Sequence, residues 1–126
     1  MRLLLDTNIV IRLRQDERQI DRKTRRIIDG ATAIYVSAAS IWEIAIKASA
    51  RKLDIDIDGL EAGLLEAGIR PLPLTWTHAR RSYDIASAHA DPFDRLLLAQ
   101  AICEPLHLLT SDERLAQYSS ELVITV

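Results

Sequence analysis

The chain predicts an α/β fold of three layers, helices on both faces of a central, mostly parallel sheet of four or five strands. Two observations lead there. Short apolar runs recur from one end to the other, and each is followed by a stretch with helical character, the alternation that a parallel sheet with crossover helices requires. Four acidic residues, Asp6, Glu43, Asp94 and Asp112, fall where such strands end or helices begin. In an open parallel sheet those places lie on one edge, beyond the carboxyl ends of the strands, where ligands bind.

Taken in order, residues 2–5 form a continuous apolar strand stopped by Asp6-Thr7-Asn8. Any of those three residues can cap the following helix, which carries Ile9, Val10 and Leu13. A polar stretch leads to a helix over about 22–29, closed by Gly30. Ala33 to Val36 is the second strand, and Ser37 to Lys52 a long amphipathic helix with Ile41, Ile44, Ala45 and Ala48 on one side. Residues 54–58 alternate over too short a span to define an element. Leu60 to Ala67 is helical and ends at Gly68. Ile69 to Leu74 holds Pro71 and Pro73, which suits an edge strand because proline cannot donate to a ladder. Thr77 to about Ala88 is helical. Asp91-Pro92 opens a strongly apolar helix through Ile102, with proline at the first helical position. Leu106 to Leu109 is a strand, residues 112–117 a short helix, and Leu122 to Val126 the last strand.

Size and composition narrow the function classes. At 126 residues the expectation is one domain over 1–126. Such a chain buries roughly two-thirds of its unfolded surface. Apolar residues make up 48% and charged residues 27%, a globular balance. The lone Cys103 excludes an internal disulfide framework and any multi-cysteine metal site, and a buried thiol is expected. No apolar run approaches the roughly 20 residues of a membrane span. Asp6 interrupts the first apolar run, so the start lacks signal-peptide anatomy and a cytoplasmic location is expected. The net charge of −2 gives no overall attraction to nucleic acid, although Arg12, Arg14, Arg18, Arg22, Lys23, Arg25 and Arg26 concentrate positive charge. Interspersed Asp16, Glu17 and Asp21 make a solvated helix face the first reading of that segment.

Each acid has a structural explanation. Asp6 and Asp112 can be helix N-caps. Ser40 and Glu43 have capping-box spacing. Asp91 can cap the helix in which Asp94 stands in the favoured first turn. Three such starts lie on one side of a parallel sheet; capping explains why acids are tolerated there, but not why no basic residue stands immediately beside Asp6 or Glu43. Converging carboxylates raise one another's pKa unless a cation neutralises them, and oxygen-only ligands suit Mg²⁺ or Mn²⁺.

The residues then match a family. LLLDTNIVI (3–11), VSAASIWEIAIKASARKL (36–53), HADPFDRLLLAQA (89–101) and LLTSD (108–112) stand in an order and at separations that resemble the PIN-domain ribonucleases, most closely the VapC-type toxins of bacterial toxin–antitoxin pairs. The resemblance covers nearly the whole chain. It implies a PIN-like three-layer fold in which Asp6, Glu43 and Asp94 hold Mg²⁺, with Mn²⁺ as substitute, and Asp112 completes the acidic pocket. Thr7 or Asn8, and Thr110 or Ser111, would be polar supports. It implies hydrolysis of RNA phosphodiester bonds by a metal-activated water, without a covalent enzyme intermediate. The implied partners are an RNA substrate, a cognate antitoxin whose tail blocks the pocket, and a second copy of the chain. His89 and Asp91 belong to a subset of the family; His89 would contact substrate, orient Asp91 or merely sit at the helix entry. Arg95 is expected in an ion pair or on a phosphate, and Trp42 and Trp76 in packing rather than base stacking, the face of Trp42 either in the core or at a subunit contact.

Two other readings compete. A PIN-like fold used only as a protein-binding module predicts missing acids, and all four are present. An aspartate-nucleophile phosphatase also begins with an acid after its first strand, but the position two residues on is Asn8 and no lysine lies near the last acidic motif.

Overall fold

The computed structural model of the chain describes residues 1–85 and 91–126. Five strands, β1 (Arg2–Leu5), β2 (Ala33–Ser37), β3 (Arg70–Leu72), β4 (His107–Thr110) and β5 (Val123–Thr125), form one sheet in the order β3-β2-β1-β4-β5. Every pairing is parallel. The central β1 pairs Leu3 with Ile34 on one side and with His107 on the other. The chain winds outward from β1 through β2 to β3, then returns to β4 and β5. The gap beyond the ends of β1 and β4 is therefore the switch point at which such sheets bind ligands.

Seven α-helices among the described residues cover the sheet: α1 (Thr7–Gln15), α2 (Arg22–Asp29), α3 (Ala38–Ser49), α4 (Leu60–Glu66), α5 (Trp76–Arg81), α6 (Pro92–Cys103) and α7 (Glu113–Ala116). Strand alternation divides the core in two. Leu3 and Leu5 join Ile9, Val10, Ile44, Leu60 and Leu64 on the face covered by α1, α3 and α4. Leu4, one residue out of phase, joins Leu97, Leu98, Ala101, Leu108 and Leu115 on the face covered by α6 and α7. β1 is thus buried on both faces, which is why its residues read as a continuous apolar run. The three-layer α/β/α architecture and the parallel sheet agree with the sequence expectation.

Differences are local and have local causes. The long helix ends at Ser49, because Arg51 takes a left-handed φ of 58° that no α-helix continues. The edge strand β3 keeps only three residues, with Pro71 inside it and Pro73 beyond it. The helix expected from Thr77 to about Ala88 ends at Arg81 and tightens into a 3-10 turn over Ser82–Asp84; its expected continuation to Ala88 lies outside the described residues. A further 3-10 turn, Glu17–Gln19, falls in the polar stretch after α1.

Three cations of the basic segment are engaged within the fold. Arg18 pairs with Asp16 at 3.0 Å, Arg25 donates to the Glu17 carbonyl at 3.1 Å and Lys23 to the Thr125 carbonyl at 3.3 Å. Past α4, Gly68 reverses the chain at φ 80°, with open space where a side chain would project. Gly68→Ala is therefore expected to cost about 1–2 kcal/mol from backbone strain alone, read as a lower urea midpoint with unchanged slope. Among the described residues no helix is long and apolar enough to cross a membrane.

Candidate active site

Asp6 follows β1 and is the N-cap of α1, its Oδ1 accepting from the Thr7 amide at 2.8 Å. Its backbone N–H donates to the Leu109 carbonyl at 2.9 Å, which ties it to the end of β4. From β4 itself, Thr110 Oγ1 donates to Asp6 Oδ2 at 2.6 Å and accepts from the Asp112 amide at 3.0 Å. One hydroxyl thus orients two acidic residues across the switch point. Asp6 is only 4% exposed. Burial, the largest influence, raises its pKa; the Thr110 and Thr7 hydrogen bonds lower it, and Glu43 and Asp112 raise it again.

A second bridge brings in α3. Thr7 Oγ1 donates to Ser40 Oγ at 2.9 Å, and both residues are buried. Ser40 is not a cap, contrary to the capping-box spacing. The cap is Ser37 at the end of β2, whose hydroxyl accepts from the Ala39 amide at 2.9 Å. Glu43 consequently stands in the second turn of α3 rather than the first, and Ser40 and Glu43 share a face. One turn further along, Lys47 Nζ reaches Glu43 Oε2 at 2.9 Å. No basic residue is adjacent to Glu43 in the sequence, but on a helix the spatial neighbour is four residues away, and Lys47 fills that place.

Asp94 enters from α6. Asp91 caps that helix, its Oδ1 accepting from the Phe93 amide at 2.8 Å and the Asp94 amide at 3.4 Å. The Asp94 carboxyl is pushed up to about 7, first by burial and then by Asp91, Asp6, Asp112 and Glu43 in that order. The four anticipated acids therefore act on one another as a single electrostatic group, and Asp91 joins them. Asp112 caps α7, accepting from the Arg114 amide at 2.9 Å. Its carboxylate is also gripped by the Arg114 guanidinium, at 3.1 Å from Nε and 2.9 Å from Nη2.

The donor chemistry fits a hard divalent cation: oxygen ligands only, with charges that destabilise one another until a cation arrives. No three His, Cys, Asp or Glu side chains among the described residues stand ready around one ion. Two of the four acids are instead engaged by cations of the same chain.

The polar supports resolve to Thr7 and Thr110; Asn8 is exposed and Ser111 lies half-buried beside the hydroxyl that acts. Ser40, Lys47 and Arg114 are site-lining residues that the sequence reading missed. The signal for Lys47 was its four-residue spacing from Glu43, and for Arg114 its place in the first turn after Asp112. His89 lies outside the described residues. Arg95 donates from Nη2 to the Ser82 carbonyl at 3.1 Å, holding α6 to the turn after α5, in place of the expected ion pair or phosphate contact. The tryptophans do not behave as core packing. Trp76 is 94% exposed, and Trp42, 59% exposed, meets only the edge of the cluster through a T-shaped contact with Phe93 at 5.4 Å. Cys103, expected buried, is half-buried.

Thr110→Val removes one hydrogen bond from Asp6 and one from the Asp112 amide without changing side-chain shape. It is expected to destabilise the protein by about 2 kcal/mol at pH 7. The change raises the folded-state pKa of Asp6 further, so the loss should be smaller at pH 4 than at pH 7. Urea unfolding at the two pH values checks both the size and the sign.

A family model described as PIN domain matches residues 3–121. No curated protein sequence matches the chain. Among solved structures, the chain is similar to one from the VapBC2 complex of Rickettsia felis bound to a promoter DNA fragment (TM-score 0.75, 12% identity, covering 99% of this chain and 98% of that one). It is also similar to a chain of a toxin–antitoxin complex from Klebsiella pneumoniae (TM-score 0.67, 17% identity, 98% and 96% covered). A third likeness is to FitAcB from Neisseria gonorrhoeae (TM-score 0.67, 23% identity, 98% and 96% covered). At these identities the structural likeness establishes the shared fold.

Proposed function

Since the chain belongs to the PIN-domain family, we propose that it is a divalent-metal-dependent endoribonuclease and the toxin of a toxin–antitoxin pair. The observation that carries the reading is the convergence at the switch point of Asp6 at the end of β1, Glu43 on α3, Asp94 on α6 and Asp112 after β4, where burial first, and then Asp91, Asp6, Asp112 and Glu43, raise the Asp94 carboxyl to about 7. Asp6 and Asp94, with Glu43 and Asp112, would hold Mg²⁺ or Mn²⁺. A divalent ion held there supplies the charge that makes water nucleophilic at neutral pH and stabilises the phosphoryl oxygens during displacement.

The chain's own residues prepare the site. Thr110 and the Thr7 amide fix both oxygens of Asp6, so that it presents a set direction rather than a rotating carboxylate. Ser40, through Thr7, couples the register of α3 to the end of β1 and so places Glu43. Asp91 fixes the first turn of α6 and is the carboxylate that acts most strongly on Asp94. The toxin assignment and a cognate antitoxin as partner draw support from the structural neighbours, one of which is a toxin–antitoxin complex.

The test uses protein purified free of any partner and incubated with RNA, with Mg²⁺, with Mn²⁺ and with EDTA. Metal-dependent internal cleavage is expected, abolished by EDTA. Cleavage that persists unchanged in Asp6→Asn sinks the proposal.

One observation favours a second reading, a PIN fold retained as a binding module: no ligand group stands preassembled among the described residues. Calorimetry separates the two, since a binding module takes up no Mn²⁺ at this edge.

A further inference from the structure

Lys47 and Arg114 approach the acidic group from different elements. Lys47 lies on α3, which follows β2, and Arg114 lies on α7, which follows β4. β2 and β4 are the two strands that flank β1. The two cations therefore stand on elements that follow the strands on either side of β1, the strand that ends at Asp6. Each holds one site carboxylate at 2.9 Å, Lys47 on Glu43 and Arg114 on Asp112. Their side chains nonetheless remain open to solvent, at 40% and 80% exposure. Exposed ion pairs of this kind contribute little to folding stability. A lysine on a flexible stem and an arginine with a planar fork are also the side chains that bind phosphate, the second bidentately.

We propose that Lys47 and Arg114 are exchangeable counter-ions of this site: each neutralises one carboxylate while no divalent ion is bound, and each passes to an RNA phosphate once divalent ions claim the carboxylates. The inference rests on the nuclease reading above. It accounts for two features together, the absence of a preassembled ligand group among the described residues and the presence of a solvent-open cation on each of two site acids. It makes both residues positioning groups for substrate and couples metal uptake to RNA affinity. Two ligands that each displace the same ion pair bind with positive cooperativity, and by linkage the coupling is reciprocal.

The experiment measures binding of a fluorescein-labelled single-stranded RNA oligonucleotide across a salt series, in EDTA and in Ca²⁺, the latter chosen to load the carboxylates with little cleavage. Parent, Lys47→Met, Lys47→Arg and Arg114→Met are compared, with circular dichroism to verify folding. In EDTA the salt slopes of all four should coincide, because the cations are held by Glu43 and Asp112. In Ca²⁺ the parent slope should be steeper than that of either Met variant by about 0.7, the value for one single-strand phosphate contact, and Lys47→Arg should keep it. Calorimetry with Mn²⁺ alone should show both Met variants binding the ion several-fold more tightly than the parent, since nothing must be displaced. A slope deficit equal in EDTA and Ca²⁺, or none in either, overturns the inference, as does unaltered Mn²⁺ affinity. If the parent binds Mn²⁺ and cuts RNA while the slopes coincide, this inference alone falls. If the parent binds no Mn²⁺, the nuclease reading falls and this one with it.

Discussion

Asp94→Asn is expected to lower RNA cleavage at least a hundredfold, roughly 2.7 kcal/mol or more in barrier, while making the metal-free protein more stable at pH 8. The two effects share a cause. Asp94 is partly buried among Asp91, Asp6, Asp112 and Glu43, and its carboxyl is held near 7 rather than the ordinary 3.8. A group whose folded-state pKa is raised contributes stability that is present below the unfolded value and lost as pH rises through the folded value. The parent should therefore lose stability between about pH 4 and 7. The asparagine variant, with no charge to bury, should lose much less over that window. Because the group is only partly buried, solvent screening reduces the difference to about 1 kcal/mol at pH 8. Urea unfolding in EDTA at pH 5 and pH 8, beside a cleavage assay, measures both. A purely capping role for Asp94 predicts parent-like cleavage and no gain at pH 8, and that outcome removes it from the site.

Divalent-ion affinity should fall about tenfold for each pH unit below 7, a loss of roughly a hundredfold by pH 5. A cation and a proton compete for the Asp94 carboxylate, and near pH 7 the proton is already half bound. Asp6, also raised above its ordinary value by burial, adds to the dependence. Calorimetric titration with Mn²⁺ in buffers of different ionisation enthalpy should report proton release at pH 6 that diminishes at pH 8. In Asp94→Asn the portion due to this carboxyl should vanish. An affinity flat from pH 5 to 8 would place the ion elsewhere.

The acids were legible in the sequence because each occupies a position with two uses. Asp6, Asp91 and Asp112 are observed as N-caps, and their placement at helix starts beyond a parallel sheet was deducible from alternation alone. What was misread depends on three-dimensional neighbours. Ser40 looked like a cap because its spacing to Glu43 fits one. Its actual role, accepting from Thr7 across 33 residues of chain, has no local signature. Trp42 was expected in packing because its helical neighbours are small or apolar, yet which side of a helix meets the sheet is set by tertiary docking, and Trp42 and Trp76 both lie largely outside the core of this chain.

His78 shows the same limit more sharply. Nothing in the local pattern marks it, yet it is buried, its Nδ1 accepting from the Thr75 amide at 3.1 Å and its Nε2 2.6 Å from Glu104. That contact ties the start of α5 to the end of α6, and only the docking of two helices creates it.

The sequence by itself determined the layer order, the parallel sheet and the edge at which Asp6, Glu43, Asp94 and Asp112 would gather, because period, punctuation and strand ends are local properties of the chain. The tertiary structure alone decided how charged that gathering is and which groups answer it. Burial together with four neighbouring carboxylates lifts Asp94, Thr110 holds Asp6, and Lys47 and Arg114 occupy Glu43 and Asp112. Those are consequences of distance and desolvation between segments far apart in the chain, and neither quantity exists until the sheet has brought its strand ends together.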